Sequence, residues 1–161
     1  MDIYEYAMQM EKDGETFYRE LVGKVDNKGL KKIFTMLADV EVIHYNIFLK
    51  MKKNQAIQMT DTPILSNVKN IFEKMKEEKD TFSVTASQVT LYKKAQEIEK
   101  KSQIFYIEKA DEVNSSSQRE IFLKIAEEEK KHYLILENII NFVSRPQTWL
   151  ENAEWFHLEE Y

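Results

Sequence analysis

The sequence predicts an all-α fold, a bundle of four long helices with one long crossover connection, and three observations carry that prediction. Only three Gly and two Pro interrupt 161 residues, of which 32% are charged and many lie in Glu/Lys-rich stretches. Helices tolerate such a composition far better than sheets do. Apolar residues recur at alternating spacings of three and four along four long segments, the period of a helix with one buried face. Finally, the chain repeats itself at an offset of 88 residues: Ala7, Glu11, Lys12, Phe17, Tyr18 and Glu20 return as Ala95, Glu99, Lys100, Phe105, Tyr106 and Glu108. Ile33, Phe34, Ala38, Glu41, His44 and Tyr45 return as Ile121, Phe122, Ala126, Glu129, His132 and Tyr133. That is the pattern of a duplicated helical hairpin, which builds an approximately two-fold structure within one chain.

The first helix is expected over about 2–25, where Ile3, Ala7, Met10, Gly14, Phe17 and Leu21 share a face; Asp26, Asn27 and Gly29 then break it. The second, about 28–53, carries Phe34, Leu37, Glu41, His44, Phe48 and Met51 on one stripe. Residues 54–86 form the crossover, with Thr62-Pro63 and a short helix expected at 67–79. The third long helix, about 87–113, places Tyr92, Ala95, Glu99, Ser102 and Tyr106 together and ends at Asn114 and a serine run. The fourth, about 116–143, aligns Phe122, Ile125, Glu129, His132, Leu136, Ile139 and Val143. Residues 1–143 thus form one bundle domain of two hairpins, 1–53 and 87–143. Past Pro146, Thr148 and Glu151 fit a capping box for a short C-terminal tail helix within 144–161. Its Trp149, Leu150, Trp155 and Phe156 suggest packing on the bundle or on a second protomer, so a homodimer is expected.

The chemistry lies in two Glu-x-x-His pairs, Glu41/His44 and Glu129/His132, each preceded by a lone glutamate 30 residues upstream, Glu11 and Glu99. Residues three apart lie on one helix face, so a Glu and a His so spaced can grip one ion together. In a Glu-rich chain a single such pair is weak evidence, and Glu154/His157, which has no repeat partner, is not counted as a ligand pair. The paired motifs differ because they interrupt apolar stripes that resume on either side, and buried charge is costly unless it is paired or bound to metal. Four carboxylates carry a charge of about −4 and two divalent ions about +4, so an occupied site can be neutral and buried. Carboxylate and imidazole donors suit Fe or Mn, with Zn a further possibility. Tyr18 and Tyr106 lie seven residues beyond Glu11 and Glu99 and return to the same face. They are candidates to hydrogen-bond a ligand carboxylate or to supply an electron or proton, or else they are ordinary core tyrosines. Gly14, unfavourable inside a helix, is expected to make room for close packing or a small oxidant, and Glu15 to face solvent.

With these residues in view, the chain resembles the ferritin-like diiron-carboxylate proteins, and among them the rubrerythrin-like branch, over residues 1–143. The resemblance implies a ferritin-like four-helix bundle with two Fe ions, Glu41 and Glu129 bridging them, Glu11 and Glu99 as terminal carboxylates, and His44 and His132 each on one ion. It implies reduction of peroxide or dioxygen with electrons from a separate donor such as a rubredoxin-type protein; a ferroxidase or iron-handling role is the alternative. Two features depart from the family's pattern. The chain has no Cys, hence no rubredoxin module, and Ser102 and Gln103 stand where full-length rubrerythrins place an extra glutamate one turn after Glu99.

Composition excludes other classes. The absence of Cys rules out disulfides, thiolate metal sites and iron-sulfur clusters within this sequence and is compatible with a reducing cytoplasm, where the protein is expected. A net charge of −5 with interspersed Lys and Glu offers no basic stripe for nucleic acid. No apolar run approaches the length of a membrane span, and the first residues have neither the basic nor the apolar region of a signal peptide, so no membrane association is expected.

Overall fold

In the computed structural model, which describes residues 2–59, 61–78 and 86–144, the chain forms five helices and, among those residues, no strand. They are α1 (Ile3–Lys24), α2 (Lys28–Lys52), α3 (Ile64–Glu77), α4 (Ala86–Ala110) and α5 (Ser116–Ser144). The arrangement is an all-α, ferritin-like bundle: α1 packs along α2, α4 along α5, and the two hairpins meet through α1 with α4 and α2 with α5. Among the described residues no helix is long and apolar enough to cross a membrane. The tail helix expected beyond Pro146 and the Glu154/His157 pair lie outside the described residues.

Local chemistry sets the helix ends. The Asp2 carboxylate accepts from the Glu5 amide at 2.8 Å and caps α1, and the Asn27 side chain accepts from the Leu30 amide at 2.9 Å and caps α2. Gly29 therefore belongs to the first turn of α2 rather than to the break before it, and its lack of a side chain serves packing. A Cβ there would lie 2.6 Å from Met75 Sδ of α3. After α2, Asn54 takes the left-handed conformation with φ 54° that ends many helices. The crossover helix starts three residues earlier than periodicity suggests, directly after Pro63, because proline is compatible with a helix start. Its Ile64, Val68, Phe72 and Met75 are buried, packed toward α2 and α5. At the end of α4, the Asp111 and Glu112 amides donate to carbonyls only three residues back, Glu108 and Lys109, which tightens the last turn, and the helix stops at Ala110 rather than near 113.

The interior has three layers along the bundle. One apolar cluster gathers Leu21, Phe34, Leu37, Phe72, Tyr92, Leu136, Ile139 and Phe142. Another gathers Ala7, Phe48, Met51, Tyr106, Phe122 and Ile125. Every long helix passes from one cluster to the other, and on each the segment between them carries the polar residues: Glu11 on α1, Glu41 and His44 on α2, Glu99 on α4, Glu129 and His132 on α5. Burial of large apolar side chains on both sides, worth about 1.5–3 kcal/mol each, holds together a middle layer that would not cohere by itself.

Candidate metal centre

All six sequence-predicted ligand positions converge in that layer and are almost fully removed from solvent. Glu11, Glu41, His44, Glu99, Glu129 and His132 are each no more than 3% exposed. Their donor atoms fall into two groups with mutual spacings within 4.8 Å: Glu11, His44 and Glu129 in one, Glu41, Glu99, Glu129 and His132 in the other. Glu129 belongs to both. The two imidazoles face each other across the layer, with ring centroids 6.2 Å apart and planes within 12° of parallel.

The groups draw on both hairpins. His44 Nδ1 lies 3.2 Å from Glu129 and 3.6 Å from Glu11, while His132 Nδ1 lies 3.3 Å from Glu99 and 3.6 Å from Glu41. Each histidine therefore meets the lone glutamate of its own hairpin and the motif glutamate of the other. The tyrosines cross in the opposite sense. Tyr106 of α4 donates to Glu11 of α1 at 2.7 Å, and Tyr18 of α1 donates to Glu99 of α4. The sequence indicated that each tyrosine shares a face with its own glutamate; the bond it makes is to the glutamate of the other hairpin.

Electrostatics follow the same two-fold pattern. Burial, and then the charge of Glu11, pushes the Glu41 carboxyl well above the ordinary carboxylate range, and burial with the charge of Glu99 does the same to Glu129. Burial also disfavours charge on Glu11, but hydrogen bonding with Glu41, the His44 ring and the Tyr106 hydroxyl outweigh it and hold Glu11 below that range. Glu99 is held low against burial by the His132 ring, Glu129 and Tyr18. His132 is raised despite burial, by Glu99 above all, and both tyrosine hydroxyls are pushed well up by burial and by the carboxylates they face. Burial and like charge thus favour a proton on the inner carboxyls, Glu41 and Glu129, while hydrogen bonds and the histidine rings favour charge on the outer ones, Glu11 and Glu99.

Several atoms remain unanswered. Glu11 Oε2, Glu41 Oε1, Glu99 Oε2, His44 Nε2 and both ring nitrogens of His132 are buried with no hydrogen-bond partner. Buried polar atoms are almost always paired, so a set of carboxylate and imidazole donors left over at the centre of a bundle fits divalent cations of the Fe, Mn or Zn kind.

Three neighbouring residues carry more than the sequence suggested. Gly14 does make room, and the occupant of that room is a ligand position: a Cβ would lie 2.8 Å from Glu41 Oε2 and 3.1 Å from its Cδ. Gly14→Ala should leave the fold intact, since alanine favours a helix by about 1 kcal/mol over glycine and a carboxylate can swing aside. It should weaken Co2+ binding to the metal-free protein by about tenfold, the scale of losing ligand orientation. An unchanged affinity in a Co2+ titration would show that Glu41 does not need that position. Glu15, expected in solvent, keeps only 19% of its side chain exposed. Glu128, beside Glu129, is fully buried and accepts from the Thr62 amide at 2.9 Å and the Thr62 hydroxyl at 2.7 Å, clasping the crossover to α5. No periodic signal could have separated this acid from its neighbours Glu127 and Glu129, because its partner is 66 residues away.

No curated protein and no solved structure matches the chain. A family model described as Rubrerythrin does match, over residues 2–140, a span that includes all four long helices up to Ile140 and every one of the six converging glutamates and histidines. With the bundle, the duplicated Glu and Glu-x-x-His positions and the buried carboxylate-imidazole layer all inside the matched region, the chain belongs to the rubrerythrin family.

Proposed function

We propose that this chain is a dinuclear non-haem iron protein that reduces peroxide or dioxygen by two electrons and is re-reduced by a separate electron-donor protein of the rubredoxin type. The observation that supports it best is the shared position of Glu129 in two donor groups, each built from both hairpins. In this reading Glu41 and Glu129 would be shared between the ions, Glu11 and His44 would hold one of them, and Glu99 and His132 would hold the other. Two Fe ions held there would supply the pair of electrons that reduction of an O–O bond requires.

The chain's own residues would do the rest. Two apolar clusters exclude bulk water from the layer, so charge changes are felt strongly by the carboxylates. Tyr18 and Tyr106, bonded to Glu99 and Glu11, fix the outer carboxylates and hold protons at hydroxyls adjacent to them. Cations held there would compete with protons for the Glu41 and Glu129 carboxyls. The sequence further favours a cytoplasmic setting and a homodimer.

A second reading is an iron-handling protein or ferroxidase that takes up and releases Fe without sustained turnover. It draws on Ser102 and Gln103, which stand where the family's peroxidases place a further glutamate.

Anaerobically reduced, iron-loaded protein mixed with hydrogen peroxide should show one fast rise of ferric absorbance in the near ultraviolet and then stall. Added reduced rubredoxin-type donor should bleach it repeatedly as long as peroxide remains. Oxidation once only, with ferric iron then released to a chelator, would favour the second reading. A protein colourless with both peroxide and dioxygen would defeat the redox role altogether.

A further inference from the structure

We propose that divalent cations reach the paired centre from one side only, through the cavity between α1 and α2, with Glu15 at its mouth as the residue that receives them. The inference rests on the dimetal reading above and adds the direction of loading. The cavity holds about 280 Å³ and is lined by Glu11, Glu15, Glu41, Tyr45 and Asn46, with Lys12 at its edge. At its inner end are two of the candidate ligands. Glu11 and Glu41 are 1% and 3% exposed, and each has a carboxylate oxygen with no hydrogen-bond partner. At its outer end Glu15 is partly buried, with 19% of its side chain exposed. A cation entering here meets carboxylate oxygens in succession, from the rim to the central layer.

Glu15 is held in a way that permits exchange. Its Oε1 is 3.3 Å from Lys12 Nζ and its Oε2 is 3.2 Å from Arg19 Nη2, both partners being solvent-exposed at 62% and 42%. Ion pairs of this kind are weak and screened, so they hold the carboxylate at the rim without locking it. Arg19 has Asp39 as a second partner at 2.9 Å and need not follow when Glu15 turns inward.

The internal repeat explains why the route is one-sided. At the 88-residue offset Glu15 becomes Gln103, Val42 becomes Lys130 and Asn46 becomes Leu134. The ligand positions are duplicated, yet the corresponding face of α4 and α5 offers a neutral amide, a cation and an apolar side chain. None of these carries the negative charge that draws a divalent ion, and Leu134 also lacks the carbonyl oxygen that Asn46 offers.

The test is the rate of Co2+ uptake by the metal-free full-length chain, read by stopped flow from the visible absorbance of bound cobalt. Glu15→Gln should load on the order of tenfold more slowly, the low end of what a charged cleft contributes to cation association. Its final stoichiometry and its metal-free melting temperature should match those of the unaltered protein. The double variant Glu15→Gln/Gln103→Glu restores the net charge on the opposite hairpin and should remain slow. Asn46→Leu, which gives α2 the side chain of its repeat, should also slow loading. Uptake at the unaltered rate in Glu15→Gln, or recovery in the double variant, would overturn the route while leaving the dimetal centre in place. Failure of the unaltered protein to bind cobalt at all would remove the centre, and the route with it.

Discussion

Replacing Glu129 with alanine is expected to empty both metal positions, whereas replacing His44 with alanine should empty mainly one. Glu129 Oε1 faces His44, and Glu129 is the residue common to both donor groups. Its loss removes a donor from each and leaves Glu11 and His44 alone in one group and Glu41, Glu99 and His132 in the other. Even groups that only orient metal ligands are worth about 10–100-fold in affinity, so removing a shared ligand should weaken both positions by more than ~100-fold. Glu41→Ala should behave similarly. Iron per chain, measured after anaerobic loading and desalting, should fall from about two to near zero in the glutamate variants and to about one in His44→Ala or His132→Ala. Equal, mild losses in all four would contradict a shared pair of glutamates.

The second large effect is on stability. Binding to the folded chain alone stabilises it by about 2.7 kcal/mol per site when free metal is a hundredfold above Kd. For two sites in a chain of this size that corresponds to a rise of roughly 10–20 °C in melting temperature. The gap should depend on pH in a definite direction. Glu41 and Glu129 have raised carboxyls in the metal-free fold, so their contribution is present below the ordinary carboxylate range and is lost as pH rises through their raised values. Glu11 and Glu99 are held low, and their contribution is present above the ordinary range and is lost as pH falls through their lowered values. The inner pair is shifted well up, and the metal-free protein should therefore be most stable in mild acid and weaken toward neutrality. Metal binding requires deprotonated carboxylates and strengthens as pH rises, so the difference between loaded and metal-free melting temperatures should widen over the same interval. Scanning calorimetry from pH 5 to 8, with and without Fe2+ under anaerobic conditions, measures it. A constant gap would mean that the inner carboxyls carry no proton to displace.

Much of this centre is visible in the sequence because helical geometry is local. A Glu and a His three apart must share a face, and a repeat offset that preserves both pairs fixes their two-fold relation. Other features depend on partners that periodicity does not reveal. On α1 the expected stripe shared Ala7, Gly14 and Leu21 with the buried one but took Met10 and Phe17 in place of the adjacent Glu11 and Tyr18. The true stripe contains an acid, a glycine and a tyrosine, so hydrophobicity alone shifts it toward the flanking Met10 and Phe17, which are only partly buried. On α4 the interior takes Gln96, Glu99 and Ser102 while Ile104 and Ile107 stay exposed, and there the ligand repeat located the inner face. The exchange of tyrosines between hairpins, the place Gly14 leaves for Glu41 and the clasp of Glu128 on Thr62 are contacts between distant segments. Their residues are legible in one dimension, but their partners are not.

The crossed pairing of histidines with motif glutamates also bears on how such a centre could arise. A single hairpin carrying one lone glutamate and one Glu-x-x-His holds only part of each donor group, because His44 needs Glu129 and His132 needs Glu41. Two identical copies meeting about a two-fold axis would complete both groups at once. The present chain thus has the form of a symmetric pair fused end to end by its crossover, and fusion freed the halves to diverge. Gly14 corresponds to Ser102 in the repeat, and Glu15 to Gln103. Identical subunits could not hold those differences; a single gene encoding both halves can.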